Sequence, residues 1–316
     1  MVNIIMPAYN GHKTIRQAIA SVFMQDNIND IKLTIVDDDS EEPYDYLLEE
    51  FKYININILK KPFNSGCGQS RQYGIDHTDC EYFMFLDVDD CLYSAASVKN
   101  LLSTIKKENC DLVSSIFLEE TTQSDGYIFH EKNLVWMHGK IYRTKYIKDN
   151  NIHFNETRAN EDHAFNMILF NNDAKIFYGD FVTYIWKNNK NSLTRSGDYL
   201  ADGINDFIIN AEFSLMESIR LKSSNEKLCD CVLQYLISLY GYFLIFIKNQ
   251  KEKAFISAYI LNVKRFYKNI PCELKKSITE KNLERLFYHN SLIDIVISAN
   301  IIMNMSIYDF INMINN

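Results

Sequence analysis

The stretch Glu81–Cys91, EYFMFLDVDDC, constrains the fold most, because five aromatic and aliphatic residues run straight into three carboxylates. Tyr82 to Leu86 read as a strand buried on both faces, which requires a sheet covered on each side. Asp87 and Asp89 follow two apart, so an extended chain would point both side chains the same way. Carboxylates fixed at the end of a buried strand form a seat for a hard divalent cation. In open α/β sheets the carboxyl edge is also where ligands bind. A surface turn is the plain alternative, since Asp is common after strands. A turn does not require three acids within four residues behind so apolar a strand.

The flanking sequence alternates strand and helix. Val2–Met6 is an apolar strand ending at Pro7, and Lys13–Gln25 places Ile15, Ala18, Ile19, Val22 and Phe23 at helical spacing. Ile31–Val36 is a second strand, closed by Asp37, Asp38, Asp39 and Ser40. Ile54–Leu59 reads as a strand with one wet face, Ser70–Thr78 as a short helix, Ala96–Glu108 as a helix and Asp111–Phe117 as a strand. Repeated β-α-β units predict an α/β domain with a Rossmann-like, mostly parallel sheet and helices on both faces. From residue 120 to 195 the pattern is mixed, with strands at Tyr127–His130, Lys175–Tyr178 and Phe181–Trp186 and a helix through Glu161–Phe170. Beyond residue 200 it turns helical: Asp206–Leu221, Glu226–Ile247, Glu252–Lys268, Ser277–Tyr288 and Ser291–Ile314 carry apolar residues three and four apart. The expected division is a catalytic domain over 1–200 and a helical region over 201–316 that serves acceptor binding or oligomerisation.

Charge narrows the partners. Lys and Arg number 20 against 29 acids in residues 1–200, and 13 against 12 in 201–316, so the acidity lies with the Asp cluster. That surface repels nucleic acid, and it accepts an anionic substrate that brings its own cation. Seven cysteines without a paired C-x-x-C spacing predict reduced thiols, and the first residues begin a strand, so the expected setting is the cytosol. The apolar run Val232–Ile247 is shorter than a bilayer span and contains Gln234, which predicts a core helix. The basic residues of Lys248–Lys268 form a strip that fits a polyanionic acceptor or the inner face of an anionic membrane; a solvated helix face is the plainer reading.

Taken in order, IIMPAYNGHKTIRQAIASVFMQ, IVDDDS, NSGCGQSRQYGI, FMFLDVDD, VWMHGKIYR, NEDHAF and NSLTRS resemble the motifs of the family-2 glycosyltransferases of GT-A fold. The resemblance runs from residue 2 to about residue 196. Three positions depart from the family's usual residues: Asp39 stands for Gly, Ser70 for Ala and Gln72 for Asn. The resemblance implies an inverting, metal-dependent transfer of a sugar from a nucleotide-sugar to a hydroxyl on a glycan, lipid-linked saccharide, protein or modified nucleic acid. It implies that Asp87 and Asp89 hold Mn²⁺ or Mg²⁺ against the donor diphosphate, with His138, His163 or neither completing the set. It implies that Pro7, Ala8, Tyr9 and Asp38 frame the base and that Arg71 lies near base and phosphates. Asp38 indicates a UDP-sugar, since a carboxylate accepts the imide N–H of uracil. Ser192 and Arg195 are placed over the diphosphate. Asp162 is the expected general base, with Glu161 shaping the site.

Plainer roles exist for each. Tyr9 fits a packing aromatic, Asp38 a turn cap shared with Asp37 or Asp39, and Arg71 a partner for a surface acid. His138 and His163 fit structural histidines, Ser192 and Arg195 a solvated loop, and Glu161 and Asp162 helix caps. Two other D-x-D chemistries fail on the residues. A haloacid-dehalogenase-type phosphatase needs Thr or Val where Cys91 stands, and an EF-hand needs Gly and Glu where Leu92 and Val98 stand. A non-catalytic sugar-binding module is the remaining alternative, and it has no use for Glu161 and Asp162.

Overall fold

The computed structural model describes residues 1–121, 126–133, 135–189, 199–279, 282–283 and 305–315. The chain divides into two compact units, Met1–Ser196 and Gly197–Asn316.

The first unit is built on one mixed sheet. Strands β1 (Val2–Ala8), β2 (Ile31–Asp37), β3 (Ile56–Lys60) and β4 (Tyr82–Phe85) pair in parallel in the order β3-β2-β1-β4. The sheet also holds β5 (Cys91–Leu92), β6 (Leu112–Glu120), β7 (Tyr127–His130), β8 (Lys140–Arg143) and β9 (Ile176–Trp186). It continues past β4 as β8-β6-β9-β5, with β7 beside β6. Strand β8 lies antiparallel between β4 and β6, whereas β6 and β9 run parallel.

Helices α1 (Ile15–Phe23), α2 (Tyr46–Glu50), α3 (Cys67–Asp76), α4 (Ser97–Glu108), α5 (Thr144–Asp149) and α6 (Glu161–Asn171) complete this unit. Helix α1 buries Ile15, Ala18, Ile19 and Val22 of its predicted stripe but leaves Phe23, at its last turn, 48% exposed, and α4 buries Val98, Leu101, Leu102 and Ile105. These stripes share one core with Ile4, Met6, Leu33, Ile35, Met84 and Leu86. The alternate residue Ile5 points to the other face, where α3 packs so closely that a Cβ on Gly74 would overlap Cγ2 of Ile5. All seven residues of β1 and all four of β4 are buried, as strands covered on both sides must be.

Three local readings change. Helix α3 begins at Cys67 rather than Ser70, directly after Gly66 at φ +92°, so the glycine that breaks the periodicity also starts the helix. The two strands read at residues 175–186 are one strand, β9, with an irregular register opposite Ser114–Phe117. Strand β8 is only four residues long, too short for a period-2 signal, and its sheet pairing on both sides supplies what local sequence does not.

The second unit contains α7 (Tyr199–Asp202), α8 (Ile204–Arg220), α9 (Asn225–Lys248), α10 (Lys253–Asn269), α11 (Cys272–Lys275) and α12 (Ile307–Asn315). The helices expected at 277–288 and 291–314 fall largely outside the described residues. Helix α9 opens on Ser224, whose hydroxyl caps the Lys227 N–H, and its 24 residues are long and apolar enough to cross a membrane. Its apolar window is 83% buried, as expected of a core helix. All seven cysteines are free thiols.

Candidate active site

The order β3-β2-β1-β4 brings the carboxyl ends of β2, β1 and β4 side by side, and with them residues 7–9, 37–40 and 86–90. Pro7 and Ala8 are buried at the end of β1, and Tyr9 emerges from it 53% exposed. The three acids after β2 divide their tasks. Asp37 accepts the Ser40 N–H at 2.9 Å and so closes the turn. Asp39 takes φ +66°, a left-handed conformation that a short polar side chain tolerates, which explains how it replaces glycine. Asp38 is 3% exposed and accepts from Lys61 Nζ at 2.6 Å, Ser65 N at 3.1 Å and Gly66 N at 2.8 Å. The carboxylate expected to read a base is therefore also the clasp holding the β3–α3 loop.

Arg71, on the buried face of α3, joins two parts of the chain that sequence separates. Its guanidinium donates to Asp87 Oδ1 at 2.9 Å and to Glu161 Oε1 at 3.2 Å, and the residue is 5% exposed. Burial disfavours charge on Asp87, yet Arg71 more than offsets it and holds this carboxyl below its ordinary value. The Arg71 Nε is buried and makes no hydrogen bond among the described residues.

Strand β4 stops at Phe85, and the chain turns at once, with Asp90 N donating to Asp87 O at 3.1 Å. The extended geometry that would align Asp87 with Asp89 does not form. The turn instead brings Asp87 and Asp90 together with His138, their ligand atoms all within 4.8 Å of one another. Asp89 stays partly exposed, with Oδ2 accepting from Asn189 Nδ2 at 2.9 Å. Asp90 is 2% exposed; its oxygens receive Tyr184 OH at 2.6 Å and Lys187 N at 2.8 Å. Burial, and then the charges of Asp87 and Asp89, push the Asp90 carboxyl well above the usual carboxylate range. His138 stacks on Tyr184 at 4.6 Å, and burial lowers its pKa to about 3, so its imidazole is neutral and keeps a lone pair to give. Two carboxyl groups and a neutral imidazole are a donor set that fits a divalent cation. His163 is not part of this group among the described residues; burial brings its pKa to about 4.

Glu161 and Asp162 open α6. Asn160 ahead of them adopts φ +62° and gives no side-chain cap, while Asp162 Oδ1 accepts the His163 N–H at 2.8 Å. Helix α3 approaches so closely that a Cβ on Gly68 would overlap Cγ of Glu161, so only glycine leaves room for this carboxylate. A helix N-terminus by itself favours the ionised form of a carboxylate. Instead burial dominates: together with Asp162 it raises Glu161 to about 7, against the pull of Arg71, and it raises Asp162 too. Sequence reading missed Lys140, which is 1% exposed on β8 with Nζ donating to Trp136 O at 2.5 Å. Burial lowers it to about 7, against the opposing charge of Asp162. Ser192 and Arg195 lie outside the described residues.

The sequence profile described as Glycosyl transferase family 2 matches residues 3–160, half of the chain. The chain belongs to this family. The uncharacterised glycosyltransferase EpsJ of Bacillus subtilis is 25% identical over 219 residues, which cover 61% of this chain and 63% of EpsJ. Escherichia coli WfgD, a UDP-Glc:α-D-GlcNAc-diphosphoundecaprenol β-1,3-glucosyltransferase, is 31% identical over 109 residues, 34% of this chain and 42% of that protein. The chain thus spans less than two thirds of the length of either curated relative. The crystal structure of Staphylococcus aureus TarS 1–349 in complex with UDP-GlcNAc superposes with TM-score 0.74 at 17% identity, covering 96% of this chain and 93% of that one. At that identity the likeness is one of fold, and the fold is GT-A. The candidate site of this family member lies where the ends of β1, β2 and β4, the inner face of α3 and the start of α6 meet.

Proposed function

We propose that the protein transfers a hexosyl or N-acetylhexosaminyl group from a UDP-sugar to an acceptor hydroxyl, with inversion and with help from Mn²⁺ or Mg²⁺. The observation that carries this reading is Arg71, a buried cation that ties Asp87, at the end of β4, to Glu161, at the start of α6. That link sets the Asp87 carboxylate and the start of α6, with its Glu161–Asp162 pair, on either side of one guanidinium. The donors of WfgD and of the TarS complex support a UDP-sugar.

On this reading Tyr9 offers its exposed ring to the base, and Asp38 uses its remaining lone pair for the imide. The Arg71 guanidinium lies near the diphosphate and supplies positive charge there. Asp87, Asp90 and His138 would hold the divalent cation, with Asp89 beside them in the same turn, and the ion would offset charge gathering on the departing diphosphate. Asp162 takes the acceptor hydroxyl's proton as the new C–O bond forms, and the bond from the anomeric carbon to the UDP oxygen breaks. Burial serves this step, because a carboxylate with a raised pKa is a stronger base. Glu161, protonated for part of the time near neutrality, orients Arg71 and Asp162. The acceptor is a saccharide or polymer hydroxyl, and the helices of the second unit serve its binding or self-association.

A thermal-shift panel of nucleoside diphosphates with Mn²⁺ tests the donor. UDP at a hundred times its Kd stabilises by about 2.7 kcal/mol. A shift with GDP or ADP and none with UDP would refute the assignment of Asp38.

A further inference from the structure

Helix α3 has two faces, and the donor site uses one. Ser70, Arg71, Gly74 and Ile75 are buried, whereas Gln69, Gln72, Tyr73 and Asp76 recur at helical spacing on the opposite face. That face, the 61–65 loop and residues 156–158 enclose a cleft of about 540 Å³. Its size is that of a small-molecule site. Tyr9, Asp38, Arg71 and Asp87 do not line it.

We propose that this cleft binds a saccharide ring of the acceptor, an inference that rests on the transferase reading above. Its walls are fixed before any ligand arrives. Gln69 Nε2 donates to Phe154 O at 3.3 Å and to Asn155 O at 3.2 Å, and Gln72 Oε1 accepts the Phe154 N–H at 3.0 Å. The segment so pinned runs on within a few residues to Glu161 and Asp162, so one short stretch of chain joins the cleft wall to the candidate base. Phe63, in the lining, is 64% exposed and offers an aromatic face suited to sugar C–H bonds. Asp76, Glu156 and Arg158 provide carboxylate acceptors and guanidinium donors for hydroxyls. Charge decides between saccharide and polyanion. Lys61 is paired with Asp38 at 2.6 Å, and Asp76 and Glu156 stand with Arg158 and with Lys148, whose Nζ is 3.5 Å from Asp76 O, so no excess positive charge is left for a polyanion and a neutral polyhydroxyl ligand fits.

The test is saturation-transfer NMR on the full chain with Mn²⁺ and UDP, using cellobiose, maltose and N,N′-diacetylchitobiose as probes. At least one disaccharide should receive saturation. Phe63→Ala should reduce that signal tenfold or more, Phe63→Tyr should retain it, and UDP affinity should be equal in all three proteins. No signal from any disaccharide, or a signal that Phe63→Ala leaves intact, overturns the inference. UDP-sugar hydrolysis measured alongside separates the two readings. Hydrolysis without disaccharide binding removes the cleft and leaves the transferase standing. A Phe63-dependent signal in a protein that hydrolyses no UDP-sugar removes the transferase reading, and with it the acceptor role of the cleft.

Discussion

Replacing Arg71 by Met should destabilise the protein in a way that depends on pH. The variant keeps the side chain's length and apolar packing but removes the counter-charge of Asp87 and Glu161, at 2.9 and 3.2 Å. Losing one partner of a buried ion pair costs about 3–5 kcal/mol when the other must stay charged. Glu161 need not stay charged, because burial and Asp162 already place its pKa at about 7. A carboxyl with a raised folded pKa binds more protons folded than unfolded, so stability falls as pH rises from its ordinary 4.5 to the folded value. In the wild type this loss ends near pH 7. Without Arg71, which pulls the pKa down, the window extends upward, and stability falls by about 1.4 kcal/mol for each further pH unit. Urea unfolding of both proteins at pH 6.5 and 8 should therefore give a difference of about 3 kcal/mol at the lower pH, and at least about 1 kcal/mol more at the higher. Adding Glu161→Gln should remove the pH-dependent part. A difference equal at both pH values, or smaller than about 1 kcal/mol at pH 8, would refute the view that Arg71 holds these carboxylates ionised.

Asp162→Asn is nearly isosteric and should slow UDP-sugar hydrolysis, in which water stands in for the acceptor, by about a hundredfold. Calorimetry should find UDP affinity in Mn²⁺ unchanged, and a weaker affinity would place Asp162 in the donor site instead. Gly68→Ala forces a methyl into Cγ of Glu161, so denaturant unfolding should show a loss of about 1–3 kcal/mol, with hydrolysis falling as Glu161 is displaced. An unchanged midpoint would mean that α3 and α6 move apart freely.

Much of the fold was legible because its strands and helices carry strong, local patterns. The apolar run Tyr82–Leu86, the stripe of α1 and the stripe of α4 each name their own burial. What was not legible depends on long-range pairing. Strand β8 is four residues held by neighbours on both sides, and with it came Lys140 and the exact setting of His138. In the site, spacing pointed to Asp87 and the family resemblance to Arg71, Glu161 and Asp162, which the structure gathers. It did not show Asp90, because the period-2 argument assumes an extended chain and the strand ends two residues before Asp87. Nor did it show the raised pKa values of Glu161 and Asp162, which arise from packing against α3 and not from the helix terminus that sequence reveals.

The central claim is that the carboxylates behind β4 hold a cation against a UDP-sugar, and UDP release measures it directly. The wild-type protein, incubated with UDP-glucose, UDP-galactose and their N-acetyl forms in Mn²⁺, should release UDP slowly from at least one donor. Asp87→Asn, or excess chelator, should abolish the release while the circular dichroism spectrum stays unchanged. Release at the wild-type rate by Asp87→Asn, or in chelator, would contradict a metal-dependent donor site built on this residue.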